Sequence, residues 1–123
     1  MAHVFTELIV TMQTDRPGGL AVALEAIAHP DINIDGLTER DGSVHLLTRD
    51  APPTQRALRA AGIRVRAERE VAVIEIQDRP GAAAAVFRRI ADAGINVEFS
   101  YLATNNRLVV GADDPQRIAK LLA

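Results

Sequence analysis

Two stretches of the sequence carry residues whose types and spacing suit the binding of a small charged molecule. The first reads DRPGGLAVALEAIAHPDINID from Asp15 to Asp35, and the second reads DRPGAAAAVFRRIADAGINVE from Asp78 to Glu98. Each has a Pro-Gly pair where a helix would begin, and the unpaired N–H groups and positive dipole of a helix start attract carboxylates. The glycines there have no Cβ, so a ligand could approach the backbone closely; they are Gly18, Gly19 and Gly81.

The same stretches also offer acceptors for an ammonium group. Asn33 and Asn96 each have a side-chain carbonyl, and Asp15 and Asp78 each have a charged carboxylate. A carboxylate site beside ammonium acceptors is the chemistry that recognises a free amino acid. The competing interpretation is structural, with the aspartates capping the helices and the asparagines holding the helix-to-strand loops.

The two stretches belong to an internal repeat that predicts the secondary structure. A shift of 63 residues aligns the chain with itself without a gap. In each copy a β-branched run ends at Pro-Gly and predicts a strand, and the apolar residues that follow have helical spacing. The segment that begins with INI or INV predicts two strands around a turn, at Asp41-Gly42 or Asn105-Asn106, and a second short helix follows.

The repeat predicts an α+β fold of two tandem ferredoxin-like βαββαβ units, 1–70 and 71–123, with the helices on one face of an antiparallel sheet. The second unit ends before its fourth strand, but residues 2–7 stand 63 positions before residues 65–70. We therefore expect the N-terminus to supply the missing strand. Strands from about residue 3 to 13 and from about 64 to 77 would then pair and join both halves in one continuous sheet.

Composition narrows the classes of function. The net charge is −2 and no cluster of basic residues stands apart from acids, so a nucleic-acid partner is not expected. No apolar run approaches the ~18 residues of a membrane span, and neither a membrane partner nor a signal peptide is expected. The absence of cysteine and of an export signal favours a cytoplasmic protein. His3, His29 and His45 form no metal motif, and no nucleotide-binding motif is present, so we expect no metal, no cofactor and no catalytic residue.

The strand, the Asp-Arg-Pro-Gly turn, the amphipathic helix and the following Ile-Asn-Ile or Ile-Asn-Val together resemble the ACT domain family. The family consists of small-molecule regulatory modules of amino-acid metabolism. The resemblance covers essentially the whole chain as two copies, and the second copy is similar to the ACT segments of aspartate kinases.

The resemblance implies how a ligand would bind. ACT domains typically pair side by side and bind an amino acid where the first loop of one domain meets the second strand of its neighbour. That loop corresponds to Gln13–Leu20 and Ile76–Ala83, and the polar position of the second strand corresponds to Asn33 and Asn96. Gln13 aligns with Ile76, so the two sites need not be equivalent. The implied ligand-binding residues are Gln13, Asp15, Arg16, Gly18, Gly19, Leu20, Asn33, Asp78, Gly81, Ala82 and Asn96.

Two functions therefore follow as expectations. The first is a stand-alone regulatory module that is not an enzyme. It would bind a small amino acid or a related metabolite, form a homodimer and signal to a regulated enzyme in trans. The pockets would lie within one chain or between two chains. The alternative is a ligand-free module for oligomerisation or assembly.

Overall fold

The computed structural model describes residues 1–12, 17–28 and 30–123. It is an α+β fold with six strands in the order β2-β3-β1-β4-β6-β5. The elements are β1 (Ala2–Thr11), α1 (Gly19–Ala28), β2 (Gly36–Arg40), β3 (Ser43–Leu47), α2 (Ala51–Ala60), β4 (Arg64–Glu75), α3 (Ala82–Asp92), β5 (Phe99–Ala103), β6 (Arg107–Gly111) and α4 (Pro115–Leu121). The predicted order of strands and helices and the antiparallel α+β class are confirmed, whereas β2 and β5 begin later in the sequence than predicted.

The chain divides into two compact units. The first unit is Thr6–Arg69, and the second unit is Met1–Phe5 together with Glu70–Ala123. The boundary falls inside β1 and inside β4, so each of these strands contributes residues to both units.

In the first unit, β3 lies between β1 and β2 and pairs antiparallel with both. Side chains of a strand point alternately to its two faces, so every second residue of β1 and β3 lies on the same face. There these residues contact the apolar faces of both helices. The buried residues of this core are Leu8, Val10, Ile27, Val44, Leu46 and Leu58. Both helices of the unit therefore pack on the same face of its strands.

The second unit repeats this arrangement with different residues. β6 pairs antiparallel with β4 and with β5. The core holds Ala72, Ile74, Ile90, Leu108, Val110, Ala112, Ile118 and Leu122. The N-terminal residues take part, because Ala2 packs against this core and the Glu75 N–H donates to the Met1 carbonyl at 2.9 Å.

Both hairpin turns use left-handed backbone, as their sequences predict. Asp41 and Gly42 have φ of 52° and 79°, and Asn105 and Asn106 have φ of 60° and 54°. Consecutive positive φ values match the right-handed twist of the flanking strands, and Asn, Asp and Gly tolerate them best.

Several polar side chains have structural roles in the two units. Glu7 is 0% exposed, and its Oε1 lies 2.8 Å from Nδ1 of His45 on the neighbouring strand. In the second unit an arginine of each helix donates to a carbonyl near the end of the other helix. Nη2 of Arg89 donates to the Leu121 carbonyl, and Nη2 of Arg117 donates to the Ala93 carbonyl, each at 2.6 Å. These reciprocal bonds satisfy carbonyls that a helix end leaves without an intrahelical partner.

Candidate ligand-binding loops and the cleft beside Asn33

The start of α3 has the geometry of an anion site. Gly81 is its N-cap, with no side-chain capping bond, and the Ala85 N–H donates to the Gly81 carbonyl at 3.0 Å. This is the first bond of the helix between residues four apart. The N–H groups of Ala83 and Ala84 come before it and therefore have no acceptor within the helix. The partial positive charge of the helix start and these N–H groups favour a carboxylate at this place.

Asp78 lies three residues before this N-cap and is exposed. Its carboxylate makes no hydrogen bond or ion pair with any residue that the structure describes. The structural interpretation, in which Asp78 caps α3, therefore has no support in the geometry. Its carboxylate is available to a ligand.

Gly81 and Gly18 are required by the backbone. Their φ values are +87° and +93°, a region that side-chain-bearing residues rarely adopt. Among the described residues, no atom lies within 4 Å of a Cβ added at either position. The backbone conformation therefore accounts for glycine at these two positions.

The start of α1 is described from residue 17 onward. Gln13, Asp15 and Arg16 lie outside the described residues. Gly19 is the first residue of α1, and Leu20 packs half-buried against the core of the first unit. Ala82, the first residue of α3, is also half-buried.

Asn33 and Asn96 were expected to lie in the second strand of each unit, and this is wrong. β2 begins at Gly36 and β5 at Phe99, so each asparagine lies three residues earlier, in the connection after the helix. Pairing with the neighbouring strand starts only at the Asp35 N–H, which donates to the Leu47 carbonyl at 2.9 Å. Asn33 and Asn96 are exposed, so a loop position explains asparagine without the penalty that it has inside a strand.

Within one unit the loop glycine and the asparagine stand at opposite ends of a helix. α1 has 10 residues between Gly18 and the connection that holds Asn33. At 1.5 Å per residue this helix is about 15 Å long. A single small amino acid therefore cannot touch both positions of the same unit.

A cleft of about 450 Å³ lies beside Asn33 in the first unit. It is formed by the connection from α1 to β2 and the connection from β3 to α2, and its lining residues are Pro30, Asp31, Ile32, Asn33, Asp35, Arg49, Asp50 and Pro53. Nδ2 of Asn33 donates to Oδ1 of Asp35 at 3.2 Å, and Nε of Arg49 is 3.7 Å from the same oxygen. Asp35 is 1% exposed.

Of this lining, sequence reasoning named only Asn33. The 63-residue repeat does pair Asp35 with Glu98 and Asp50 with Asp113, so acidic residues recur at two of the lining positions. The recurrence of these acidic residues was the only sequence signal for the cleft. It did not predict the cleft, because Arg49 and Asp50 come close to Asn33 only when β3 pairs with β2.

Residues 1–12, 17–28 and 30–123 contain neither a metal-binding cluster nor a membrane-spanning helix. No group of three His, Cys, Asp or Glu side chains that could hold a metal ion occurs among them. No helix among them is long and apolar enough to cross a membrane.

The comparison with family models bears on the second unit. Residues 71–123 match the model of the ACT domain. The matched segment contains β5, β6, α3 and α4, the start of α3 at Gly81 and the connection that holds Asn96. ACT domains are regulatory domains. A comparison with curated proteins finds no match.

Solved structures share the fold along nearly the whole chain. A protein from Bacteroides thetaiotaomicron has a TM-score of 0.73 at 22% identity, covering 99% of this chain and 87% of its own. The ligand-free regulatory subunit of aspartate kinase from Thermus thermophilus has a TM-score of 0.69 at 17% identity, with 98% and 93% covered. E. coli aspartokinase III in complex with lysine and aspartate has a TM-score of 0.62 at 20% identity, with 98% and 31% covered. At these identities the similarity establishes the fold.

Proposed function

We propose that the protein is a regulatory module that binds a small amino acid, or a related metabolite, between ACT domains and passes the signal to an enzyme in trans. The observation that carries the proposal is the start of α3 in the segment that matches the ACT domain, where the N-cap Gly81 has no side-chain capping bond and follows the exposed Asp78 by three residues. Aspartate kinase regulatory structures among the fold relatives support the regulatory role.

In this proposal the helix start binds the ligand carboxylate. The N–H groups of Ala83 and Ala84 would donate to its oxygens, and the left-handed Gly81 holds the chain so that they point outward. On the first unit the corresponding groups follow Gly18 and Gly19. The sequence contributes Gln13, Asp15 and Arg16 to that loop.

The ligand ammonium needs acceptors from two directions. Asp78 supplies a carboxylate close to the helix start in the sequence. The asparagine of the same unit is a helix length away, so the second acceptor must come from the corresponding asparagine of a neighbouring ACT domain. This requirement motivates the proposed pairing of ACT domains and the homodimer.

Signalling follows from unequal affinity. A ligand held by two ACT domains at once stabilises the paired state over the separated state, and only such a difference can shift a partner's activity. Gln13 and Ile76 occupy the same position in the two repeats, so we expect one site to bind more tightly than the other.

The alternative is a ligand-free assembly module, and one observation favours it. β5 lies at the end of the strand order, and its Leu102 side chain is 66% exposed. An end strand with a large exposed apolar side chain is suited to pairing with another chain.

A thermal-shift screen against the common amino acids separates the two functions. At a ligand concentration of 100 times Kd the stabilisation is ~2.7 kcal/mol. Asp78→Asn and Asn96→Ala should each reduce the observed shift, whereas the matched control Asp113→Asn changes an exposed carboxylate elsewhere in the second unit and should leave it intact. If no amino acid raises the melting temperature, binding is wrong and assembly is favoured. A shift that survives both Asp78→Asn and Asn96→Ala would show that the site is elsewhere.

A further inference from the structure

The side-chain amide of Asn33 has a fixed orientation. Its Nδ2 donates to Oδ1 of Asp35 at 3.2 Å and to the Ile34 carbonyl at 3.4 Å. An ionised carboxylate and a backbone carbonyl can only accept hydrogen bonds. If the amide turned over, Oδ1 of Asn33 would face these two oxygens with no hydrogen between them. The amide nitrogen therefore faces Asp35, and Oδ1 of Asn33 lies on the other side of the amide.

Asp35 is itself firmly held. It is 1% exposed, and it has interactions beyond the bond from Asn33, including Nε of Arg49 at 3.7 Å from its Oδ1. Its backbone N–H donates to the Leu47 carbonyl at 2.9 Å, which attaches it to β3. Asn33, by contrast, is exposed in the connection before β2. A buried and anchored residue thus orients an exposed side chain that would otherwise rotate.

The carbonyl of the Asn33 amide is left for a donor from outside. Within residues 1–12, 17–28 and 30–123, no group donates a hydrogen bond to this Oδ1. The side chain borders the cleft of about 450 Å³, so a small molecule has room beside it. An acceptor that is already oriented binds an ammonium group without first losing rotamer freedom, which is equivalent to about three- to tenfold in affinity.

The second unit has no equivalent pair. In the 63-residue repeat Asn33 aligns with Asn96, and Asp35 aligns with Glu98. Glu98 is exposed, whereas Asp35 is buried. No hydrogen bond joins the Asn96 side chain to another residue that the structure describes. A ligand that binds Asn96 must therefore order this side chain itself.

We propose that Asp35 is a positioning residue for the amino-acid site, because it turns the Asn33 amide so that the amide carbonyl accepts a hydrogen bond from the ligand ammonium. This inference rests on the proposed function and deepens it. It names a residue that acts through Asn33 without touching the ligand, and it identifies Asn33 as the stronger acceptor of the two asparagines. A site that uses Asn33 is therefore filled before a site that uses Asn96.

NMR of the whole chain tests the orientation without a ligand. The side-chain NH₂ of Asn33 should exchange with solvent about threefold or more slowly than that of Asn96, because Asp35 and Ile34 accept its hydrogens. This comparison needs no variant, so it holds even if a change at Asp35 prevents folding. Equal exchange of the two side chains in the parent overturns the proposal.

Calorimetric titration with each common amino acid tests the effect on binding. Asp35→Leu keeps the branched shape but has no acceptor, and it should weaken the tightest-binding amino acid about three- to tenfold. In the Asn33→Ala background the same change should have no effect, because Asp35 acts through Asn33. Asp35→Asn keeps one acceptor oxygen and should retain most of the affinity. The matched control Glu98→Leu alters the aligned residue of the second unit and should leave the affinity unchanged.

The outcomes separate this inference from the proposed function. An equal loss of affinity from Asp35→Leu with and without Asn33 would assign Asp35 a general structural role and overturn the proposal. An affinity that falls in Asp78→Asn but not in Asp35→Leu would support the proposed function and overturn this inference alone. If no amino acid binds the parent, the proposed function and the role of Asp35 in binding are both wrong.

Discussion

Replacing Gly111 by alanine tests the packing of the second unit, because among the described glycines this is the position where an added Cβ is most crowded. Gly111 ends β6 opposite Phe99 of β5, and a Cβ there would overlap three carbons of the Phe99 ring. Such contacts force the ring to move. Overpacking of this kind costs about 1–3 kcal/mol, and because Phe99 is only half-buried we expect about 1–2 kcal/mol for Gly111→Ala.

The measurement is the free energy of unfolding from urea denaturation. Phe99→Ala removes the ring, so the alanine at 111 should then have room. The double variant Gly111→Ala/Phe99→Ala should be more stable than the sum of the two single changes predicts, by at least about 1 kcal/mol. Gly81→Ala is the matched control, since its Cβ would meet no atom and its cost comes from φ of +87°. That cost should be the same with and without Phe99.

Two results would refute this reasoning. Gly111→Ala could prove as stable as the parent, which would mean that the ring does not lie over the glycine. Alternatively, the full penalty could persist after Phe99→Ala, which would assign it to the backbone rather than to the ring.

Three further predictions concern stability, each measured by urea denaturation. Gly81→Val should lower the free energy of unfolding by more than about 1 kcal/mol and Gly81→Asn by less, since asparagine tolerates left-handed φ; equal losses would contradict the backbone role. Glu7→Ala should lower the free energy of unfolding by about 3 kcal/mol, because it removes the buried partner of His45. Glu7→Gln should cost less, because it keeps an acceptor oxygen. The reverse order would rule out the hydrogen bond as the cause. Arg89→Ala and Arg117→Ala should each lower the free energy of unfolding by about 0.5–1 kcal/mol, because each removes the hydrogen-bond donor of a carbonyl near a helix end. Arg88→Ala is the control and should cost less, because it removes only an exposed i,i+4 ion pair. Three equal losses would show that the reciprocal bonds contribute nothing.

The repeat explains why the elements could be predicted so fully from the sequence. Every strand and helix has a counterpart 63 residues away, so each assignment was supported by two independent patterns. The turn residues were equally informative, because Asp41-Gly42 and Asn105-Asn106 are among the few pairs that accept consecutive positive φ values.

The position of the asparagines could not be predicted in the same way. The β-branched residues around Asn33 resemble a strand, but strand pairing depends on where β3 ends and hence on Leu47, which is distant in the sequence. Because Gly18 and Asn33 lie at opposite ends of α1, one ligand cannot contact both residues of the same repeat. A binding site that uses both kinds of residue therefore needs a neighbouring domain. The role of Gly18 and Gly81 was likewise clear only from their φ values.

The cleft beside Asn33 also depends on long-range contacts. Arg49 and Asp50 follow β3, whereas Asp31 and Asp35 precede β2, and nothing in their spacing indicates a common pocket. The missing capping bond of Asp50 was equally invisible, because aspartate before a helix usually predicts a cap.

The most direct test of the central claim is a calorimetric titration of the whole chain with each common amino acid, repeated on Asp78→Asn. We predict that at least one amino acid binds, with favourable heat, and that Asp78→Asn weakens its affinity about tenfold or more, the equivalent of about 1.4 kcal/mol. The account is contradicted if no amino acid binds the parent chain, or if the affinity of the one that binds is unchanged in Asp78→Asn.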